Sequence, residues 1–102
     1  MKYLIYRTDF FNDQLQDIVL YIRDDFSQDE ANDYLDYLEE QLENLSSFPY
    51  IGVVPRLTSI AKQGYRVLIV RQNLIFYQVF DDRKMIVLYA IVSSKRKYED
   101  LI

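Results

Sequence analysis

With 102 residues, half of them hydrophobic and spread along the whole chain, the sequence has the length and composition of one globular domain, residues 1–102, and no stretch approaches a membrane span or a secretory leader, so a cytoplasmic location is expected. The absence of cysteine and histidine excludes disulfides, thiolate nucleophiles, imidazole bases and His- or Cys-based metal sites, which leaves carboxylate, Lys, Arg, Tyr, Ser and Thr for any chemistry; no metal or cofactor is expected. The net charge of −4 is unevenly distributed: the segment through Phe48 carries −9 and the remainder +5.

Tyr3-Leu4-Ile5-Tyr6 is a β-branched and aromatic run closed by a Thr8-Asp9 turn and cap signal, and reads as a first strand. From about Asn12, apolar residues recur at Leu15, Ile18, Val19, Ile22 and Phe26, the spacing of a helix with one buried face. Ser27-Gln28-Asp29-Glu30 has the form of a capping box and predicts a second helix. The stripe of that helix is Ala31, Leu35, Leu38, Leu42 and Leu45, and Pro49 marks its end. The brief connection at Ser27 folds the two into an antiparallel hairpin.

Tyr50 to Gln63 shows little periodicity and is expected to be an extended, mobile connection. Three apolar runs follow, Tyr65 to Arg71, Leu74 to Phe80 and Met85 to Val92, with connections short enough for an antiparallel meander. The order β-α-α-β-β-β predicts an α+β fold, a helical hairpin packed on a mainly antiparallel four-stranded sheet that includes the first strand.

The basic second half offers Arg56, Lys62, Arg66, Arg71, Lys95, Arg96 and Lys97, with Tyr65, Tyr77 and Tyr98 among them. Arginine grips phosphate through a planar fork, lysine attracts it as a point charge, and tyrosine stacks on a base or moves a proton, so this set suits RNA or an acidic peptide. Scattered Lys and Arg are usually a solvated face, and Lys95-Arg96-Lys97 reads equally as a solubilising segment after the last strand. The acidic helices read as a solvated face too, because Asp24-Asp25 and Glu39-Glu40 are adjacent and diverge by about 100° around the axis.

The order of elements, together with Leu45-Ser46-Ser47-Phe48-Pro49, Gly52, Gly64-Tyr65-Arg66-Val67-Leu68, Leu74-Ile75-Phe76-Tyr77-Gln78-Val79 and Lys95-Arg96-Lys97-Tyr98, resembles the RelE/ParE superfamily over nearly the whole chain. The resemblance implies a small bacterial toxin of a type II toxin-antitoxin module, neutralised by a cognate antitoxin that packs between helices and sheet and reaches the basic edge. RelE-like members cut mRNA on the ribosome, and ParE-like members target DNA gyrase. The expectation taken first is a ribosome-dependent mRNA endonuclease. In it Arg66 and Arg96 stabilise the phosphorane, Tyr98 transfers a proton, and Lys95 and Lys97 attract the backbone. Arg56, Lys62, Tyr65 and Arg71 would add RNA or partner contacts. The alternatives are a gyrase-binding toxin and a non-toxic interaction module. The last is motivated by the acidic helices and by Leu74, which stands where RelE-like members carry arginine.

Overall fold

The computed structural model describes residues 2–94. Strand β1 (Leu4–Arg7) leads into helices α1 (Asp9–Asp25) and α2 (Gln28–Ser47), then a short α3 (Thr58–Lys62), and strands β2 (Arg66–Val70), β3 (Asn73–Phe80) and β4 (Met85–Ser93). The sheet order is β1-β4-β3-β2, antiparallel except for the β1–β4 pair, which is parallel.

The α1–α2 hairpin forms as its stripe predicts, but α1 begins a turn earlier than Asn12. The Thr8 hydroxyl accepts from the Phe11 amide at 3.1 Å and donates to the Leu88 carbonyl at 2.9 Å, so one residue caps the helix and ties it to β4. Phe11, fully buried, is thereby the first core residue of the helix. At α2 only half of the capping box forms: the Ser27 hydroxyl accepts from the Glu30 amide, while the Ser27 amide donates to Ile22.

The hairpin covers one face of the sheet, where Phe11, Leu38, Leu45, Ile75, Tyr77, Ile86, Leu88 and Ile91 pack together. Leu88 and Ile91 share that face despite their spacing because β4 bulges. Phe76 pairs with Ala90 and Tyr77 with Leu88, so Tyr89 is the extra residue that resets the alternation. The other face carries a smaller cluster of Ile60, Val67, Leu74, Phe76 and Val92.

The segment from Tyr50 to Gln63 holds more secondary structure than the extended connection the sequence suggested. Ile60 of α3 seals the second cluster, and Val53 and Val67 exchange backbone hydrogen bonds at 2.8 Å in an antiparallel bridge. Helical periodicity cannot announce an element of five residues, and the bridge is a long-range pairing.

Candidate functional site

The strap between α2 and α3 is where Arg66 works. Its guanidinium donates from one terminal nitrogen to the Gly52 carbonyl at 2.8 Å and to the Tyr50 carbonyl at 3.1 Å, and lies 5.3 Å from the Tyr50 ring centroid. Opposite Arg66 on β3, the buried Tyr77 hydroxyl donates to the Pro49 carbonyl at 2.8 Å and accepts from the Gly52 amide at 2.9 Å. Burial pushes the Tyr77 hydroxyl pKa up, partly offset by the Gly52 amide and by Arg66. Gly52 is required because the strap lies directly on Tyr77: an added Cβ would come within 2.5 Å of its hydroxyl and 2.7 Å of the Val67 carbonyl.

A third anchor reaches the strap from the β3–β4 connection. The Asp81 carboxylate accepts from the Tyr3 hydroxyl at 2.6 Å with one oxygen and from the Tyr50 hydroxyl with the other. Donation to Asp81 pushes the Tyr3 pKa up to about 12 and raises that of Tyr50, and the same two bonds hold the Asp81 carboxyl below its usual value. Lys84, in left-handed backbone conformation at φ 50°, places its ammonium 5.3 Å from the Tyr3 ring centroid. Nothing in the sequence spacing announces this cluster, whose members are 31 and 78 residues apart.

Among the described residues, the other basic candidates do not gather around Arg66. Arg56 is exposed ahead of α3, and Lys62 is exposed in its last turn. Tyr65 is half-buried, edge-on to Tyr89 with ring centroids 5.3 Å apart. Arg71 sits in the β2–β3 turn at φ 53°, at the other end of β2 from Arg66, with its guanidinium 4.5 Å from the Tyr37 ring centroid on α2. Leu74 is 6% exposed within the second cluster, so that site takes an apolar residue where the resemblance anticipated arginine. Lys95, Arg96, Lys97 and Tyr98 lie outside the described residues.

A groove of about 790 Å³ lies at the other end of the molecule. It opens between α1, the start of α2, the β2–β3 turn and the end of β4. Ile18, Ile22 and the buried Tyr34 line it, and Tyr21 and Phe26 stand edge-on with ring centroids 6.2 Å apart. Tyr34 donates to the Asn73 side-chain oxygen at 2.7 Å, and the Gln14 side-chain oxygen accepts from the Ile91 amide at 2.8 Å, so the floor is fixed by buried polar bonds. Burial pushes the Tyr34 pKa up to about 12 against the pull of Arg71.

A family model described as "ParE toxin of type II toxin-antitoxin system, parDE" matches residues 5–98. The chain is similar in structure to a protein of the chromosomal ParDE TA system from P. aeruginosa, with a TM-score of 0.72 and 16% identity over 90% of this chain and 96% of that one. It is also similar to a chain of the toxin-antitoxin complex RelBE2 from Mycobacterium tuberculosis, with a TM-score of 0.60 and 14% identity over 91% of this chain and 99% of that one. These two likenesses speak to the fold. No curated protein matches the sequence. Among the described residues no helix is long and apolar enough to cross a membrane.

Proposed function

Because the chain belongs to the ParE toxin family of type II toxin-antitoxin systems, we propose that it arrests growth by binding its target rather than by cleaving RNA, with DNA gyrase as the target and a cognate antitoxin as the neutralising partner. The observation that carries this reading is the engagement of Arg66. A phosphorane stabiliser needs donors aimed at open space where charge develops. Arg66 instead directs a terminal nitrogen at the carbonyls of Gly52 and Tyr50. The tyrosine hydroxyls beside it are also engaged, Tyr50 with Asp81 and Tyr77 with Pro49 and Gly52. Of the three residues expected to act on RNA, Arg66 alone is among the described residues, and its surroundings are those of a clamp.

In this reading the strap and the exposed side chains around it, Phe48, Tyr50, Ile51, Val53 and Val54, form the surface presented to the target. Arg56, Lys62, Lys95 and Lys97 supply charge to target or antitoxin. The test is a supercoiling assay with purified gyrase and relaxed plasmid, paired with primer extension on mRNA from arrested cells. The reading expects inhibited supercoiling, relief by the antitoxin, and no new 5′ ends. Normal supercoiling with cuts inside translated messages would return the function to RNA cleavage by Arg66, Arg96 and Tyr98. Undisturbed growth with confirmed soluble expression would leave the non-toxic interaction module.

A further inference from the structure

We propose that the free edge of β1 docks a second copy of this chain, strand against strand, joining two four-stranded sheets into one; the inference does not depend on which target the protein acts on. The Leu4 amide donates to the Lys84 carbonyl at 2.9 Å and the Thr8 amide to the Leu88 carbonyl at 3.2 Å, so Leu4, Tyr6 and Thr8 turn their backbone groups toward β4. By the alternation of a strand, Tyr3, Ile5 and Arg7 turn theirs toward the outer edge. At Tyr3 that edge is closed: its amide donates to the Ser46 carbonyl at 3.0 Å, and its carbonyl accepts from the Ser46 hydroxyl at 2.5 Å. The backbone amides and carbonyls of Ile5 and Arg7 have no hydrogen-bond partner among the described residues. The other edge of the sheet is partly taken by the strap, where Val53 bonds both outward groups of Val67.

Two open residues flanking Tyr6 are complementary to themselves. When two antiparallel copies face each other across a twofold axis at Tyr6, Ile5 of each copy stands opposite Arg7 of the other and exchanges both hydrogen bonds with it, so every open group on the edge is used. The pairing stops where the closed groups begin, because Tyr3 then meets Asp9, where the chain turns into α1. The side chains agree with this register. Ile5 packs under the hairpin, so Leu4 and Tyr6 project from the opposite face of the sheet, 75% and 56% exposed. The two Tyr6 rings become a cross-strand pair at the non-hydrogen-bonded position, where side chains are closest, and Leu4 of each copy lies diagonal to the Tyr6 of the other.

Charge does not oppose the approach, although the hairpin is acidic. The cleft between β1 and α2 is lined by Glu39 and Glu43, and both are neutralised within their own copy, Glu39 by Arg7 at 2.6 Å and Glu43 by Lys2. A pairing this short falls below the roughly 1,200 Å² of a standard interface, so the dimer is weak and reversible.

The test is sedimentation equilibrium on the purified full chain from about 1 μM to 1 mM. A monomer–dimer equilibrium is expected; a chain monomeric throughout overturns the proposal, and if Tyr6→Lys then abolishes antitoxin binding, the edge belongs to a strand of the antitoxin instead. In the dimer Tyr6→Lys should raise the dissociation constant about tenfold or more, because it sets two cations face to face at the axis. Non-specific association would respond the other way, since an added cation offsets part of the net charge of −4. Ile69→Lys, at a residue 59% exposed on β2, should leave the constant unchanged; the reverse pattern places the contact on β2 and overturns the proposal. Melting verifies that each variant is folded. The chain has no cysteine, so Tyr6→Cys introduces a single thiol. Its Cα would lie about 4.5 Å from its counterpart across the axis, within disulfide reach. Mild oxidation should therefore link Tyr6→Cys copies faster than Ile69→Cys copies, and equal rates would mean that only random collisions bring the edges together.

Discussion

Gly52 and Tyr77 fix each other across 25 residues of sequence: the Gly52 amide donates to the Tyr77 hydroxyl at 2.9 Å, and the space for a side chain at residue 52 is occupied by that same oxygen. The contact sets the height of the strap above the sheet, and Arg66 then clamps the strap from the side through the Gly52 carbonyl. The surface proposed to meet the target is thus positioned by three residues at most partly open to solvent.

Gly52→Ala is expected to destabilise the protein by about 1–3 kcal/mol, because the Val67 carbonyl is backbone and cannot swing aside. For a domain of this size that corresponds to a melting temperature lower by about 4–8 °C per kcal/mol. Gly64 is the useful contrast. It has φ +85°, and an added Cβ would meet only the Gln78 side-chain nitrogen at an ordinary 3.8 Å, so Gly64→Ala costs backbone strain of about 1 kcal/mol without a steric clash. Equal losses at the two positions would mean that the strap does not lie against Tyr77.

Arg66→Lys separates a clamp from a charge. Lysine keeps the cation but loses the guanidinium, whose terminal nitrogen bonds the Gly52 and Tyr50 carbonyls while its plane lies beside the Tyr50 ring. Stability should fall by about 1–3 kcal/mol, and amide exchange at Val53 should quicken as the strap loosens. If lysine preserves melting temperature and exchange but toxicity is lost, Arg66 contacts the target directly.

The hairpin and the order of strands were legible because each apolar stripe belongs to an element long enough to show its period. The Thr8-Asp9 cap signal was legible, but the start of α1 was placed late, at about Asn12, because the periodic apolar stripe shows itself only from Leu15, whereas Phe10-Phe11 lie in the first turn of the helix. The Tyr89 bulge left no sequence signal, because a bulge is defined by what the partner strand does. The site was less legible still. Arg66 and Arg71 look equivalent in composition, yet one grips backbone carbonyls and the other rests on Tyr37 at the opposite end of β2. The acidic hairpin was read as uniformly solvated. Only folding shows that Asp17, Glu30 and Asp33 face a cavity lined by Tyr21, Phe26 and Arg71.

Tyr34→Phe removes the donor to the buried Asn73 side-chain oxygen and is expected to cost about 1–3 kcal/mol near neutral pH. The wild type should also lose stability in alkali. Tyr34 titrates near 10 when unfolded and is pushed up to about 12 when folded, so its contribution is intact below pH 10 and disappears as pH rises through 12. Tyr3 is raised to about 12 as well, so Tyr34→Phe should shallow the alkaline decline seen in urea denaturation without abolishing it. An unchanged slope would show that Tyr34 ionises as freely in the folded chain as in the unfolded one.

Asp81→Asn tests the outer anchor of the strap in the acid range. The carboxylate uses both oxygens, one for Tyr3 and one for Tyr50, whereas an amide offers a single oxygen, so one of the two hydroxyls loses its acceptor. Because these bonds lower the folded pKa below 3.8, the stabilisation they provide is present above that value and is lost as pH falls through the depressed one. The variant should therefore melt below wild type at neutral pH, and the gap should close in acid as the wild-type carboxyl takes up its proton. A gap that persists unchanged to the lowest pH at which the chain remains folded would mean that the charge on Asp81 is not what holds Tyr3 and Tyr50. Amide exchange at Ile51, beside Tyr50 in the strap, locates the effect. If the two hydroxyls pin the strap to the β3–β4 connection, exchange there should quicken in Asp81→Asn at neutral pH and in wild type only after acidification, which links the titration of one exposed carboxylate to the position of the surface proposed to meet the target.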